Sequence, residues 1–511
     1  MTQKFDILVI GGGLGGLVSA LILAKEGYYV GLVEKNQQFG GNLQTFSRDK
    51  VIFDTGVHYI GGLSEGQNLH TYFKYLGILD DLQLKKMDED GYDIITFDDD
   101  PNEYKHAQGY KKFKESLLNQ FPEEEQAIDA YIQKLKETCD GFTLYRMRKS
   151  ETYQEKPEVL QEGIQEFIES ITDNKKLQSV LVGSNLLYAG NGYKTPLYMH
   201  ALAVNSYIES SYRIIRGGSQ ITKALLKQFR KLGGKTFKRQ QVVRLETENG
   251  AVTKLHTDKG MILGADTFIS NVDPKMTLKM LPEDAFRKSF VNRIENIEST
   301  VAAFSLYLVL KPGTFPYINS NIYHFKDTES VWDSINYTDE NWPKTYMISM
   351  GLSKEDEEWA DNLTVMTYMK FDEVKPWADT INTVVHKNQR GETYEEFKAA
   401  KAEILIRELE KKFPDIREKI EAVYTSTPLS YRDYIGCNKG AMYGYVKDAA
   451  NPMKSFISPK TRLKNLFFTG QSLNMHGILG VTISGIITCS EILGREYLLD
   501  KILKKTKKEV V

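Results

Sequence analysis

The stretch DILVIGGGLGGLVSALILAKEGYYVGLVEK, residues 6–35, decides the fold. Residues 7–10 are a continuous apolar run of the kind that forms a buried parallel strand. Gly11, Gly13 and Gly16 then give G-x-G-x-x-G, with Leu14 and Gly15 inside it, at the entry to a helix whose apolar residues include Leu17, Leu21 and Leu23. Gly27 ends that helix, and residues 29–33 form a second strand that closes on Glu34 and Lys35. Gly11 makes the tight turn, Gly13 lets a pyrophosphate approach the backbone, and Gly16 lets helix and strand pack closely. The helix N-terminus offers free N–H groups and the positive end of its dipole to the phosphates. Glu34 can accept hydrogen bonds from ribose hydroxyls and would repel a 2′-phosphate. Strand, helix, strand and acid in this order predict a Rossmann-type dinucleotide-binding unit.

The rest of the chain bounds what that unit serves. At 511 residues it exceeds one ordinary core. Lys plus Arg is 66 and Asp plus Glu is 68, a net charge of −2 that argues against nucleic-acid partners. The 29 tyrosines suit a large apolar cavity and equally suit core packing. Cys139, Cys437 and Cys489 lie far apart without metal-ligand spacing, which predicts a reducing, cytoplasmic setting. No signal-peptide pattern precedes the first strand, and no apolar run reaches the ~18 residues of a membrane span. HExxH, Walker A and nucleophile-elbow patterns are absent from the sequence, so metalloprotease, kinase and hydrolase readings have no support.

Downstream of Glu34 a second glycine pair, Gly40-Gly41, is followed by Asn42, and VIFDTGVHYIGG spans residues 51–62. The pair resembles the extended FAD fingerprint of flavoprotein oxidoreductases of the glutathione-reductase fold group. With residues 51–62 the chain resembles the carotenoid desaturase, carotenoid isomerase and retinol saturase superfamily, its wording closest to the retinol saturase-like branch. The resemblance extends through residues 214–252, where Val242 would bracket adenine with its backbone, through GADTFISNVDP at 264–274, and through STPLSYRDYIGCNKGAMYGY at 426–445. NLFFTGQSLNMHGILGVTISG, residues 465–485, resembles the family's terminal strand, turn and helix. There Gly470-Gln471 stands where Gly-Asp is usual, and Gln471 can still hydrogen-bond a ribityl hydroxyl. Gly480 and Val481 would present backbone N–H groups to the flavin's pyrimidine end.

The resemblance implies an α/β fold: a discontinuous Rossmann-type FAD domain of the glutathione-reductase group plus an α+β substrate domain. The FAD domain is expected from residues 1–75, 205–290 and 455–511, and the substrate domain from 76–204 and 291–454. In the substrate segments, Ala127, Ile128, Tyr131, Ile132 and Leu135 mark a helical stripe. VAAFSLYLVL and NLTVMTYMKF alternate as strands with one face turned to a core or ligand. FDDDPNEY, residues 97–104, reads as a solvated turn and not a metal site. The last helix carries an apolar stripe (Leu498, Leu499, Ile502, Leu503) beside lysines 501, 504, 505, 507 and 508. It is either a peripheral membrane contact or a solvated terminal helix.

The expected activity is FAD-dependent oxidoreduction at C=C or C–C bonds of a long apolar isoprenoid, retinoid or carotenoid-like, with saturase-type reduction first and an external electron donor or acceptor. Desaturation, redox-neutral cis–trans isomerisation and a non-catalytic prenyl-lipid carrier remain open. His58, His476 and Tyr443 are the candidate catalytic side chains: the two histidines lie in blocks expected near the flavin, and Tyr443, with Tyr445, is expected to line the substrate cavity, where it could donate a proton. Arg48, Arg216 and Arg432 could pair with phosphate or a substrate carboxylate.

Overall fold

A computed structural model describes residues 3–149, 157–353, 356–384 and 389–507. The opening stretch forms the strand Gln3–Ile10, the helix Leu14–Lys25 and the strand Val30–Val33. Both strands lie within a seven-stranded sheet ordered Lys235–Phe237, Val30–Val33, Gln3–Ile10, Ile262–Ser270, Ala251–Thr257, Val242–Glu248. Leu466–Phe468 pairs in parallel with the far end of Ile262–Ser270. The strands at the centre are parallel, which buries both their faces and explains the unbroken apolar runs. The helix Leu14–Lys25 is buried from residue 14 to 24. The Gly477–Leu493 helix covers it so closely that a Cβ on Gly485 would meet Val18 Cγ1 at 2.9 Å.

A second seven-stranded sheet runs Ile420–Ser426, Ala302–Leu310, Ala360–Met369, Thr345–Leu352, Asn321–Phe325, Asp93–Phe97, Asp100–His106. The one-sided burial expected of its strands is not what forms. Ala302–Leu310 is buried at every position. Phe304, Leu306 and Leu308 pack with Leu405 and Leu409 of the helix Glu392–Lys412, while Ala303 and Met366 face the core of the helices Glu125–Asp140 and Leu197–Glu209. Layers on both sides leave the inner strands no face for solvent, while the edge strands Ile420–Ser426 and Asp100–His106 keep exposed residues. The stripe at 127–135 is buried as expected.

The acidic stretch 97–104 turns a hairpin. Asp98 accepts from His324 Nε2 at 3.0 Å, and Lys176 lies 3.4 and 3.2 Å from Asp99 and Asp100. Among the described residues no group of acids, histidines or cysteines could hold a metal. The terminal stripe is spent internally: Leu498, Leu499 and Ile502 are buried in the core beneath the helix Asn68–Leu76. Lys501 pairs with Glu26 at 2.6 Å. The membrane-docking reading of that stripe is therefore corrected, because its apolar face is already covered; Lys508 lies outside the described residues. Among the described residues no helix is long and apolar enough to cross a membrane.

Candidate functional site

A cleft opens at the C-terminal ends of the central parallel strands, where an open α/β sheet binds its ligand. Gly11, Gly13, Leu14, Gly15, Glu34, Lys35, Gly40, Gly41, Asn42, Val242, Gln471 and Val481 all line it. The turns interlock through backbone. Gly40 N–H donates to the Gly12 carbonyl at 2.7 Å, and Gly13 and Gly40 form a bridge. Gly11 sits at φ +92° and Gly40 at φ +120°, conformations that side chains with a Cβ rarely adopt.

Asn271, which follows the strand Ile262–Ser270, fills the space those glycines leave. A Cβ on Gly13 would lie 2.8 Å from its Nδ2, and one on Gly15 or Gly470 would lie 2.6 Å from its Oδ1. Sequence reasoning missed Asn271. The signal was its place at the end of an apolar strand in ISNVDP, inside a block recognised only as a whole. Gly16 does not line the cleft. A Cβ there would lie 2.2 Å from the Gly11 carbonyl oxygen, so it serves close helix–strand packing.

Glu34 is buried, and its two oxygens accept from Gly12 N–H at 2.8 Å and Asn36 N–H at 2.7 Å. Burial raises its pKa against these hydrogen bonds. Lys35 Nζ donates to the Asp433 carbonyl and Asn36 Nδ2 to that of Tyr434, so the last turn of the helix Pro428–Ile435 is held against the acidic strand end. At the other end, Asn42 Nδ2 donates to Gln471 Oε1 at 3.3 Å. The helix Gly477–Leu493 starts after His476. Its N–H groups without intrahelical partners are those up to Leu479, one residue ahead of Gly480 and Val481. Val481 lines the cleft; Gly480 lines the adjoining cavity instead.

The three candidate catalytic side chains meet in this region. His476 Nε2 donates to the Leu187 carbonyl at 2.8 Å, and the Tyr443 hydroxyl donates to Leu186 at 2.7 Å. Their rings lie 4.4 Å apart. His58 Nδ1 is 3.1 Å from Ser349 Oγ. Burial pushes both histidines down to about 4 and raises Tyr443, so all three are neutral near pH 7. None of Arg48, Arg216 or Arg432 lines the cleft or the adjoining cavity. Arg432 is held by Asp433 at 2.7 Å.

Beyond His476 the cleft joins a second cavity of about 450 Å³. The two share Tyr59, Leu187, Tyr207, His476, Gly477 and Ile478. Leu144, Leu202, Ile483 and Ile487 continue its apolar wall.

The residues present fit a flavin dinucleotide. The interlocked glycines form a cradle that a Cβ would fill, Glu34 is a buried acid at the strand end beside them, and the buried Thr469 Oγ1 lines the cleft with no hydrogen-bond partner among the described residues. The family described as flavin-containing amine oxidoreductase matches residues 14–369. The chain belongs to this family. Its cofactor is FAD, and it is an oxidoreductase. This flavoprotein is 26% identical over 544 aligned residues to all-trans-retinol 13,14-reductase of Rattus norvegicus, covering 98% of its own chain and 87% of that relative. It is 25% identical to 4,4'-diaponeurosporene oxygenase of Staphylococcus haemolyticus, covering 95% and 96%. These relatives fit the carotenoid desaturase and retinol saturase superfamily that its sequence blocks resemble. A solved structure of putrescine oxidase covers 97% of this chain and 100% of its own, with a TM-score of 0.63 at 13% identity, a likeness of fold. The Rossmann-type FAD-binding fold with an added substrate-side sheet is as the sequence predicts.

Proposed function

We propose that this FAD-dependent oxidoreductase reduces a C=C bond in a long apolar isoprenoid of retinoid or carotenoid type. The observation that carries the reading is the apolar cavity running directly into the cofactor cleft at Tyr59, Tyr207 and His476. A cavity of this size and lining suits a long hydrocarbon chain. Relatives named all-trans-retinol 13,14-reductase, matched along nearly the whole chain, favour reduction over the other directions. In this reading residues 1–75, 205–290 and 455–511 hold the cofactor, residues 76–204 and 291–454 enclose the substrate, and an external donor supplies electrons.

Bound flavin supplies the hydride chemistry. The chain's part is orientation, exclusion of water and control of protons. Leu144, Leu202, Ile483 and Ile487 keep the polyene dry. His476 and Tyr443, both tied to the turn Asn185–Leu187, shape the junction where polyene and cofactor meet. Their polar hydrogens are committed to backbone carbonyls, which fits a positioning role.

The test is an absorbance spectrum of the purified protein, followed by anaerobic mixing of dithionite-reduced enzyme with all-trans-retinol and with carotenoid precursors. Reoxidation of the flavin as substrate loses a double bond is the expected result. Bleaching of oxidised flavin by substrate would replace reduction with desaturation. Altered polyene geometry at constant redox state would replace it with isomerisation.

A further inference from the structure

The apolar cavity contains one feature that a hydrocarbon does not need. Lys447, on the chain just beyond Tyr443 and Tyr445, lines its wall and also lines the smaller cavity behind Tyr443. It is the single charged side chain among the cavity's lining residues, and no aspartate or glutamate lines it. Its Nζ donates to the backbone carbonyl of Leu473 at 3.0 Å and, at 3.5 Å, to that of Ser455. An ammonium has three N–H donors, so one is left for the cavity. No carboxylate stands within ion-pair distance of Lys447 among the described residues. Enclosure alone lowers its pKa, to about 8, with no acid to oppose it. Lys447 is half-buried, and a cation partly withdrawn from water without a counter-ion is unfavourable, since buried charges are as a rule paired. His476 is the titratable neighbour, and it is neutral.

We propose that Lys447 is the anchor for a carboxylate at one end of the apolar ligand. The preferred ligand class is then a long-chain isoprenoid or polyene acid, in place of a pure hydrocarbon or an alcohol. This inference rests on the substrate reading above and sharpens it. The anion would complete the third donor of Lys447 and neutralise its charge in a dry site, where charge-assisted hydrogen bonds are strong. A hydroxyl would satisfy the donor and leave the charge unpaired.

The experiment measures binding of all-trans-retinoic acid and all-trans-retinol to the flavin-loaded protein by perturbation of the flavin spectrum, in wild type, K447M and K447R. In wild type the acid should bind about tenfold or more tighter than the alcohol. K447M should erase that preference while retinol binding changes little, and K447R should restore much of it. An acid no tighter than the alcohol in wild type overturns the proposal even if K447M does not fold. So does a preference that survives in a folded K447M. Turnover of either compound by reduced enzyme is scored separately. Acid preference without loss of a double bond keeps Lys447 as an anchor and removes the reductase reading. Reduction without acid preference does the reverse.

Discussion

The cofactor cleft and the apolar cavity share the start of one helix, Gly477–Leu493, yet they are made of different material. The cleft is built from backbone. Its walls approach within the reach of a single methyl group, and Asn271 is threaded among Gly13, Gly15 and Gly470. The cavity is built from side chains contributed by distant segments, including Leu144, Leu202, Lys447 and Ile483. Backbone recognition ties function to a few residue types at fixed spacing. Side-chain recognition spreads it over positions where many residues would do.

That contrast can be broken most directly at Gly15. A Cβ there would lie 3.0 Å from the Gly470 backbone and 2.6 Å from Asn271 Oδ1. We expect Gly15→Val to lower FAD affinity by at least about a hundredfold, from overpacking of about 3 kcal/mol. Flavin titration checks this, and a variant purified with full flavin would show that the cleft is looser than its geometry implies.

Acid should separate the two regions next. His106 donates to the Val180 carbonyl and His200 lies between Tyr131 and Tyr188; burial lowers them to about 4 and about 3. Their folded pKa values lie below the ordinary 6.5. The unfolded chain therefore binds more protons, and the stability held above pH 6.5 is lost as pH falls toward 4. Asp93 nearby, raised to about 7, opposes one of them, leaving one net proton (two histidines less one aspartate), about 1.4 kcal/mol per pH unit. At the cleft His58 and His476, also lowered to about 4, are opposed by two raised carboxyls, Asp54 at about 7 and Glu34, so the proton uptake of the two histidines on unfolding is offset there. Hydrogen exchange at pH 7 and pH 5 should show Glu125–Asp140 and Leu197–Glu209 loosening by about tenfold per pH unit, while Gln3–Ile10 does not. Equal loosening of both regions would contradict the comparison.

Filling the cavity should leave the cleft intact. Ile483→Trp places bulk in the apolar wall, and we expect apolar ligands to bind about tenfold more weakly at unchanged flavin content. Loss of flavin in this variant would mean that the two regions are not independent. The smallest effect is expected from Tyr443→Phe, whose lost hydroxyl served the Leu186 carbonyl. We expect turnover to fall less than about tenfold, whereas general-acid catalysis contributes about a hundredfold or more. A loss of that size would make Tyr443 the proton donor.

Much of the cleft was legible because phosphate and ribose must be met by free N–H groups, absent side chains and one acid, and each requirement leaves its mark at fixed spacing. Gly13 and Glu34 could be named from chain order alone, Gly40 and Gln471 only through the family resemblance, and the structure brings all four to one cleft. Asn271 could not. Its role arises when residues 271, 13 and 470 converge, and nothing local distinguishes it from any polar residue after a strand. The terminal apolar stripe was ambiguous for the same reason. Leu498 and Ile502 look alike whether they face lipid or the helix Asn68–Leu76, and only packing placed them inside. The histidines could be listed but not given a charge state, because the pKa values of His58 and His476 follow from burial, which no neighbouring residue in sequence encodes.

The parallel-sheet unit, its glycine turn and the acid at the end of its second strand were settled by local chain order. Those depend on backbone conformation over a few residues, where glycine and a strand-terminal carboxylate have no substitutes. That the inner strands of the second sheet are buried on both faces, that the terminal helix is docked, and that a lone lysine stands in an apolar cavity emerge only from the packed fold. Those depend on which distant segments share a boundary, and desolvation acts on a side chain only after that boundary has closed.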